Sequence, residues 1–125
     1  EAEWEYACRA GTRSDYAGQL DQMAWYAKNT RTLRPAGTRL GNPWGLRDMH
    51  GSLWEFCHDL YGPYPADGGA ATDPAGPDTG VFRVARGGSW TTTAELCRSS
   101  YRGSAARTDT KPNLGFRIVL APALP

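Results

Sequence analysis

Apolar residues recur at helical spacing at the very start of the chain, where Trp4, Ala7 and Cys8 fall on one face of Glu1–Ala10. Glu1, Glu3 and Glu5 come early and Arg9 late, an order that suits a helix macrodipole, and Gly11 is the expected stop. From Thr12 to Leu40 the period is lost. Gly18, Pro35 and Gly37 mark turns there, and Met23–Ala27 is a short apolar segment that reads as a brief strand inside loop. Leu53–Phe56 reads as a short strand following a turn. Tyr61–Gly80 is dense in Gly, Pro, Ala and Asp, which cannot hold a helix or a central strand, so it reads as a long surface loop. Such a loop is either a binding surface or a flexible spacer. Val81–Arg86 alternates apolar and polar residues as a half-buried strand does, and Gly87-Gly88 lets backbone approach another group closely. Thr91–Lys111 is a polar excursion, in which Arg98, Arg102 and Arg107 are expected to pair with carboxylates. Gly115–Leu120 reads as a final strand with Phe116, Ile118 and Leu120 on one face.

Composition turns this pattern into a picture of one domain rich in turns. The 125 residues include 15 Gly, 9 Pro, 5 Trp and 6 Tyr. Large rings bury about 150–250 Å² each, so they supply core area that regular elements do not. A net charge of +1 with mixed signs gives no electrostatic reason to expect nucleic acid or an anionic membrane, and no basic stripe stands out. No apolar run approaches about eighteen residues and no leader is legible, so no membrane span is expected. Cys8, Cys57 and Cys97 leave an odd thiol under any pairing and lack zinc spacing. Reduced, cytoplasmic thiols are the preferred reading, and a Cys57–Cys97 disulfide is the competing one.

Candidate chemistry concentrates in Asn42–Asp59. If the backbone turns at Gly51, the Asp48 carboxylate, the carbonyls of Gly51 and Leu53, and the Glu55 carboxylate converge as an oxygen cage suited to calcium. The same residues also read as a helix start capped by Asp48, with Trp54 and Phe56 buried and Glu55 solvated. His50 and His58 have no partner at ligand spacing and are taken as surface or turn residues.

Three blocks give these residues a family resemblance. Gly45-Leu-Arg-Asp-Met-His-Gly-Ser-Leu-Trp-Glu-Phe56 resembles the signature of the formylglycine-generating enzyme, or sulfatase-modifying factor, family. Glu1-Ala-Glu-Trp-Glu-Tyr-Ala-Cys-Arg-Ala-Gly11 is similar to a second family block, and Arg86-Gly-Gly-Ser-Trp90 through Asn113-Leu-Gly-Phe-Arg117 to the C-terminal one. The resemblance implies an α+β, C-type-lectin-like fold with little regular structure, of which residues 1–125 form the C-terminal part. It implies calcium on Asp48, Gly51, Leu53 and Glu55. A second calcium site of the family is not expected, because the acidic ligand between Asn29 and Gly41 is missing. Enzymes of the family bind Cu(I) through two cysteines five residues apart, and alignment on Gly87-Gly88-Ser89-Trp90 puts these at Thr92 and Cys97. A hydroxyl is a poor Cu(I) ligand, so copper is not expected and Cys97 is the vestige of a catalytic pair. The resemblance also makes Ile118 the position of a disulfide partner for Cys8 in the animal enzymes, so that bond cannot form.

Trp54, Ser89 and Asn113 match positions of the family's substrate groove, and Trp90 is grouped with them. Each also has a purely structural reading, as core residue, turn cap or loop anchor. The function expected from the resemblance is a calcium-stabilised module binding a protein, peptide or small molecule. One bacterial subclass of the family diversifies such a module by a retroelement between the Trp54-Glu-Phe56 block and the final Gly115-Phe-Arg117 block, and the polar excursion Thr91–Lys111 sits in that place. The alternative is an oxidase, or a related oxygen-dependent enzyme, acting on a peptide cysteine. The absent half of the domain, or another subunit, is a further candidate partner.

Overall fold

The computed structural model describes residues 1–66, 69 and 71–120. Its regular elements are helix α1 (Ala2–Arg9), a one-turn helix α2 (Leu20–Met23), strand β1 (Trp54–Leu60), strand β2 (Phe82–Arg86), a 3-10 turn (Ala94–Cys97), strand β3 (Gly103–Ala106) and the short strand β4 (Leu114–Gly115). The strands form one sheet in the order β3-β2-β1-β4. β2 pairs antiparallel with both β1 and β3, and β4 lies parallel to β1 at the edge. Among the described residues no helix is long and apolar enough to cross a membrane.

α1 forms where the period predicts it and buries Trp4 and Cys8. Its end differs by one residue: Ala10 itself takes the left-handed cap, φ 45°, and donates to Tyr6 O at 3.1 Å, with Gly11 following at φ 87°. The segment read as a strand at Met23–Ala27 instead closes α2, and Trp25 makes only an isolated parallel bridge to Gly51. Gly51 has φ 73°, and a Cβ there would sit 2.3 Å from Trp25 O, so the bridge requires glycine. β1 runs four residues past the expected Leu53–Phe56, because pairing with β2 carries it through Cys57, His58, Asp59 and Leu60. The expected final strand is cut to Leu114–Gly115. Phe116, Ile118 and Leu120 are 74, 89 and 100 % exposed and do not share a buried face. The loop of residues 61–80 has no helix or strand among its described residues; residues 67, 68 and 70 lie outside them.

Two apolar clusters lie around the sheet. Trp4, Cys8, Met49, Cys57 and Val84 form one, and Leu20, Ala24, Tyr26 and Cys97 the other. Cys57 and Cys97 therefore sit in different clusters, and all three thiols are buried and free. His50 links the clusters, and the reading of it as a surface residue is corrected: it is 0 % exposed. A carbonyl can only accept, so Nδ1 donates to Cys97 O at 2.8 Å while Nε2 accepts from Ala17 N–H at 3.1 Å. Burial pushes its pKa down, against the opposing pull of the Cys97 carbonyl, so the ring is neutral in the fold. His58 is exposed, as expected.

Arg86, also 0 % exposed, ties α1 to the sheet through Glu5 at 2.5 Å, Glu1 at 3.2 Å and the carbonyl of Ser99 at 2.6 Å. Of the three arginines expected to pair with carboxylates, Arg102 does so with Glu1 at 2.8 Å. Arg98 donates to the Glu95 carbonyl instead, and neither Arg98 nor Arg107 has an ion-pair partner among the described residues.

Candidate ligand groove and the Thr92–Cys97 pair

β2 ends in two left-handed glycines, Gly87 at φ 92° and Gly88 at φ 72°, which turn the chain under the 3-10 turn. A Cβ on Gly88 would lie 2.6 Å from Cys97 Sγ, so glycine is what admits the sulfur here. Beyond the turn, Thr92 Oγ1 donates to Ser89 O at 2.9 Å and accepts from Ser89 N–H at 2.9 Å. Cys97 Sγ lies 3.5 Å from the same oxygen. Since the hydroxyl proton goes to Ser89 O, the thiol is the donor in that contact. Burial raises the Cys97 pKa and outweighs the opposing hydrogen-bond contacts with Thr92, Gly51 and Ser89, so the sulfur is a neutral thiol at physiological pH. Thr92 and Cys97 are thus adjacent in space, and they carry one hydroxyl and one protonated thiol.

Ser89, Thr91 and Asn113 form a second polar set. Ser89 Oγ and Thr91 Oγ1 are 2.9 Å apart, and Asn113 Nδ2 donates to Thr91 Oγ1 at 3.0 Å and to Ser89 Oγ at 3.5 Å. Asn113 is placed by the β1–β4 pairing, its carbonyl accepting from Trp54 N–H at 2.9 Å. That pairing brings Trp54 and Asn113 to a groove of about 230 Å³, lined also by Ala85, Tyr101, Gly103, Ser104, Ala105, Lys111 and Leu114. The Trp54 and Tyr101 rings lie 6.0 Å apart at 48°. Ser89 and Trp90 do not line this groove. Ser89 is 0 % exposed behind it, in contact through Thr91 and Asn113, and Trp90 Nε1 is buried with no hydrogen-bond partner. Tyr101, Ser104 and Lys111 were missed from the sequence, because they come from the polar excursion whose register on β2 no local pattern announces.

A larger cavity of about 840 Å³ lies between α1 and the loop that follows β1. Charged lining groups there are already paired with one another or with Arg86: Arg102 with Glu1, and Glu5 with both Arg9 and Arg86. None of the residues matched to the family groove lines it, so the smaller groove is the candidate site.

Of the expected calcium ligands, Asp48, Gly51, Leu53 and Glu55, the two carboxylates do not share one environment. Glu55 is 7 % exposed, and both oxygens are taken: Oε2 accepts from Trp4 Nε1 at 2.7 Å and Arg117 Nε at 2.8 Å, and Oε1 accepts from Arg117 Nη2 at 2.6 Å. A divalent ion does not fit that carboxylate as placed, because it would meet a guanidinium already bidentate on it. Asp48 does fit. It adopts φ 59°, its Oδ2 accepts from Gly37 N–H at 2.6 Å, and its Oδ1 is buried with no donor. Among the described residues no group of three or more His, Cys, Asp or Glu side chains is assembled for a metal.

A four-stranded mixed sheet with one principal helix, long loops and a polar turn under a 3-10 segment defines a C-type-lectin-like α+β domain of the formylglycine-generating type. A family model described as the sulfatase-modifying factor enzyme 1-like domain matches residues 1–122, and the chain belongs to that family. It is 34 % identical to the formylglycine-generating enzyme of Streptomyces coelicolor over 94 % of this chain and 44 % of that protein. A serine/threonine-protein kinase pkn1 of Chlamydia caviae is likewise 34 % identical, over 94 % of this chain and 20 % of the kinase. Among solved structures, Treponema denticola variable protein 1 superposes with a TM-score of 0.87 at 31 % identity, over 92 % of this chain and 44 % of that one. The chain thus spans less than half the length of these relatives.

Proposed function

We propose that this chain is a module of the formylglycine-generating type that binds a protein, peptide or small-molecule ligand at the Trp54–Asn113 groove and does not perform the copper-dependent oxidation. The observation that carries this reading is the contact of Thr92 Oγ1 with Cys97 Sγ at 3.5 Å. Cu(I) takes soft thiolates, and this pair offers a hydroxyl already committed to Ser89 and a thiol that burial keeps protonated. The groove supplies what a binding site needs without redox chemistry: two aromatic faces on Trp54 and Tyr101, and polar groups on Asn113, Ser104 and Lys111. Likeness to a protein named a variable protein supports a ligand-binding module of the diversified kind. Calcium enters this reading through Asp48, whose free Oδ1 is the oxygen a hard cation completes.

Cu(I) titration in competition with a chromophoric chelator tests the reading. The wild-type chain is expected to leave the metal with the chelator, whereas Thr92→Cys is expected to take one equivalent through the restored pair. Tight, Cys97-dependent binding by the wild type, or conversion of a cysteine peptide to an aldehyde, would overturn it in favour of the oxidase.

A further inference from the structure

The near-neutral total charge conceals an uneven distribution. Residues 22–47 hold five of the 14 Lys and Arg and none of the 13 Asp and Glu, so the net +1 divides into +5 there and −4 elsewhere. Lys28 is paired with Asp21 at 2.7 Å. Arg31, Arg34, Arg39 and Arg47 have no carboxylate partner among the described residues. The expectation that no basic stripe stands out is therefore corrected, because averaging over the whole chain hid it.

Neutral groups hold these guanidiniums in place. Arg47 Nη1 donates to the carbonyls of Gly37 at 2.7 Å and Arg39 at 2.9 Å, and Arg34 Nε to Thr30 Oγ1 at 3.2 Å. The Arg39 and Arg34 guanidiniums lie 3.7 and 5.3 Å from the centroid of the Trp25 ring, which is itself pinned by Nε1–H to Thr38 Oγ1 at 2.8 Å. Arg39 Nε is buried and has no acceptor. A guanidinium resting on an indole keeps its charge and its planar N–H fork, which matches a carboxylate edge-on. Side chains ordered in advance also lose less entropy when an anion arrives.

We propose that Arg34 and Arg39, resting on Trp25, and Arg47, tied to the carbonyls of Gly37 and Arg39, form a docking site for the Asp and Glu carboxylates of an acidic polypeptide segment. Leu33, Leu40 and Trp44 are 48, 57 and 50 % exposed and are interspersed with the arginines in sequence. A segment with interleaved acidic and apolar residues matches that mixture. Guanidiniums rest on the Trp25 ring, and the Trp44 ring packs edge-on against Tyr6 at 5.0 Å between centroids, so neither indole stands clear of the fold as a stacking platform for single-stranded nucleic acid does. The patch shares no residue with the Trp54 groove, so neither stands on the other.

Fluorescence anisotropy with a short labelled peptide of alternating Glu and Leu provides the test. Saturable binding is expected at about 50 mM salt, weakening several-fold by about 200 mM. The double variant Arg34→Gln, Arg39→Gln is expected to bind about tenfold more weakly or worse, and Arg107→Gln, exposed and outside the patch, to bind as wild type. If the double variant loses its native circular dichroism, the exposed Arg34→Gln alone is expected to weaken binding several-fold. No saturable binding at low salt, equal affinity of the folded variants, or tighter binding of a charge-matched oligonucleotide than of the peptide would each overturn the proposal.

Discussion

Asp48 and Glu55 lie seven residues apart in one stretch, and the fold treats them in opposite ways. Glu55, on β1, accepts from Trp4 of α1 and from Arg117 beyond β4, so it joins the first helix to the last part of the described chain. Asp48, in a left-handed turn before Gly51, is held by a single main-chain N–H from Gly37 and keeps one buried oxygen without a donor. A carboxylate whose lone pairs are saturated by fixed donors is part of the scaffold. One left half-satisfied is open to a cation, because burying the free oxygen costs energy that a ligand recovers. Signature residues of one family block therefore do different jobs, and residue type alone does not say which.

The contrast breaks most visibly at Glu55. Glu55→Ala leaves Trp4 Nε1 and the Arg117 guanidinium without their acceptor, and loss of about 3 kcal/mol of unfolding free energy in urea is expected, the lower end for a buried pair because Arg117 is 30 % exposed. A loss under about 1 kcal/mol would remove Glu55 from the scaffold.

A second group packed against this stretch, Cys8, sharpens the picture through pH. Its Sγ lies 3.7 Å from Met49 O and from His50 Nε2. Burial pushes the Cys8 thiol up to about 11, only partly offset by the Ser99 hydrogen bond and the Arg86 charge. The unfolded thiol ionises at about 9 and the folded one does not, so its contribution is complete below about pH 9 and is lost as pH rises towards 11. The expected slope is at most about 1.4 kcal/mol per pH unit, and Cys8→Ala should flatten it relative to wild type. An unchanged alkaline slope in the variant would assign the loss to other groups.

The smallest effect belongs to Asp48. Millimolar calcium against EDTA is expected to raise the unfolding temperature by about 4 °C, corresponding to about 1 kcal/mol of linkage, and Asp48→Asn to abolish the rise. An identical melting temperature in both buffers would leave Asp48 with a structural role only.

How much of this was legible beforehand follows from where the determining contacts lie. α1 was readable because its apolar face, its charge order and its stop are all set within ten residues. β2 forms where a strand is expected, but its burial does not alternate: Phe82 is exposed while Val84, Ala85 and Arg86 are all buried, because β1 and β3 flank it on both sides. β1 was read four residues short, since its second half is a strand only through its pairing with β2. Phe116–Leu120 alternates as a strand should, yet within the described residues it has no strand beside it. His50 looked like a turn residue because its partners, Ala17 and Cys97, lie 33 and 47 residues away. The groove was half legible: Trp54 and Asn113 came from family blocks, whereas Tyr101, Ser104 and Lys111 depend on how β3 and its flanks lie along the sheet.

By itself the sequence determined the family, the first helix and the glycine turns, because each is written in residue identities a few positions apart. The tertiary structure alone decided that Glu55 is clamped while Asp48 is left open, that His50 is a neutral buried tie, and that Arg34 and Arg39 rest on Trp25. Those outcomes depend on donors, acceptors and rings brought together from distant parts of the chain. A side chain's charge state and free valences belong to its neighbours as much as to itself, and only the fold chooses the neighbours.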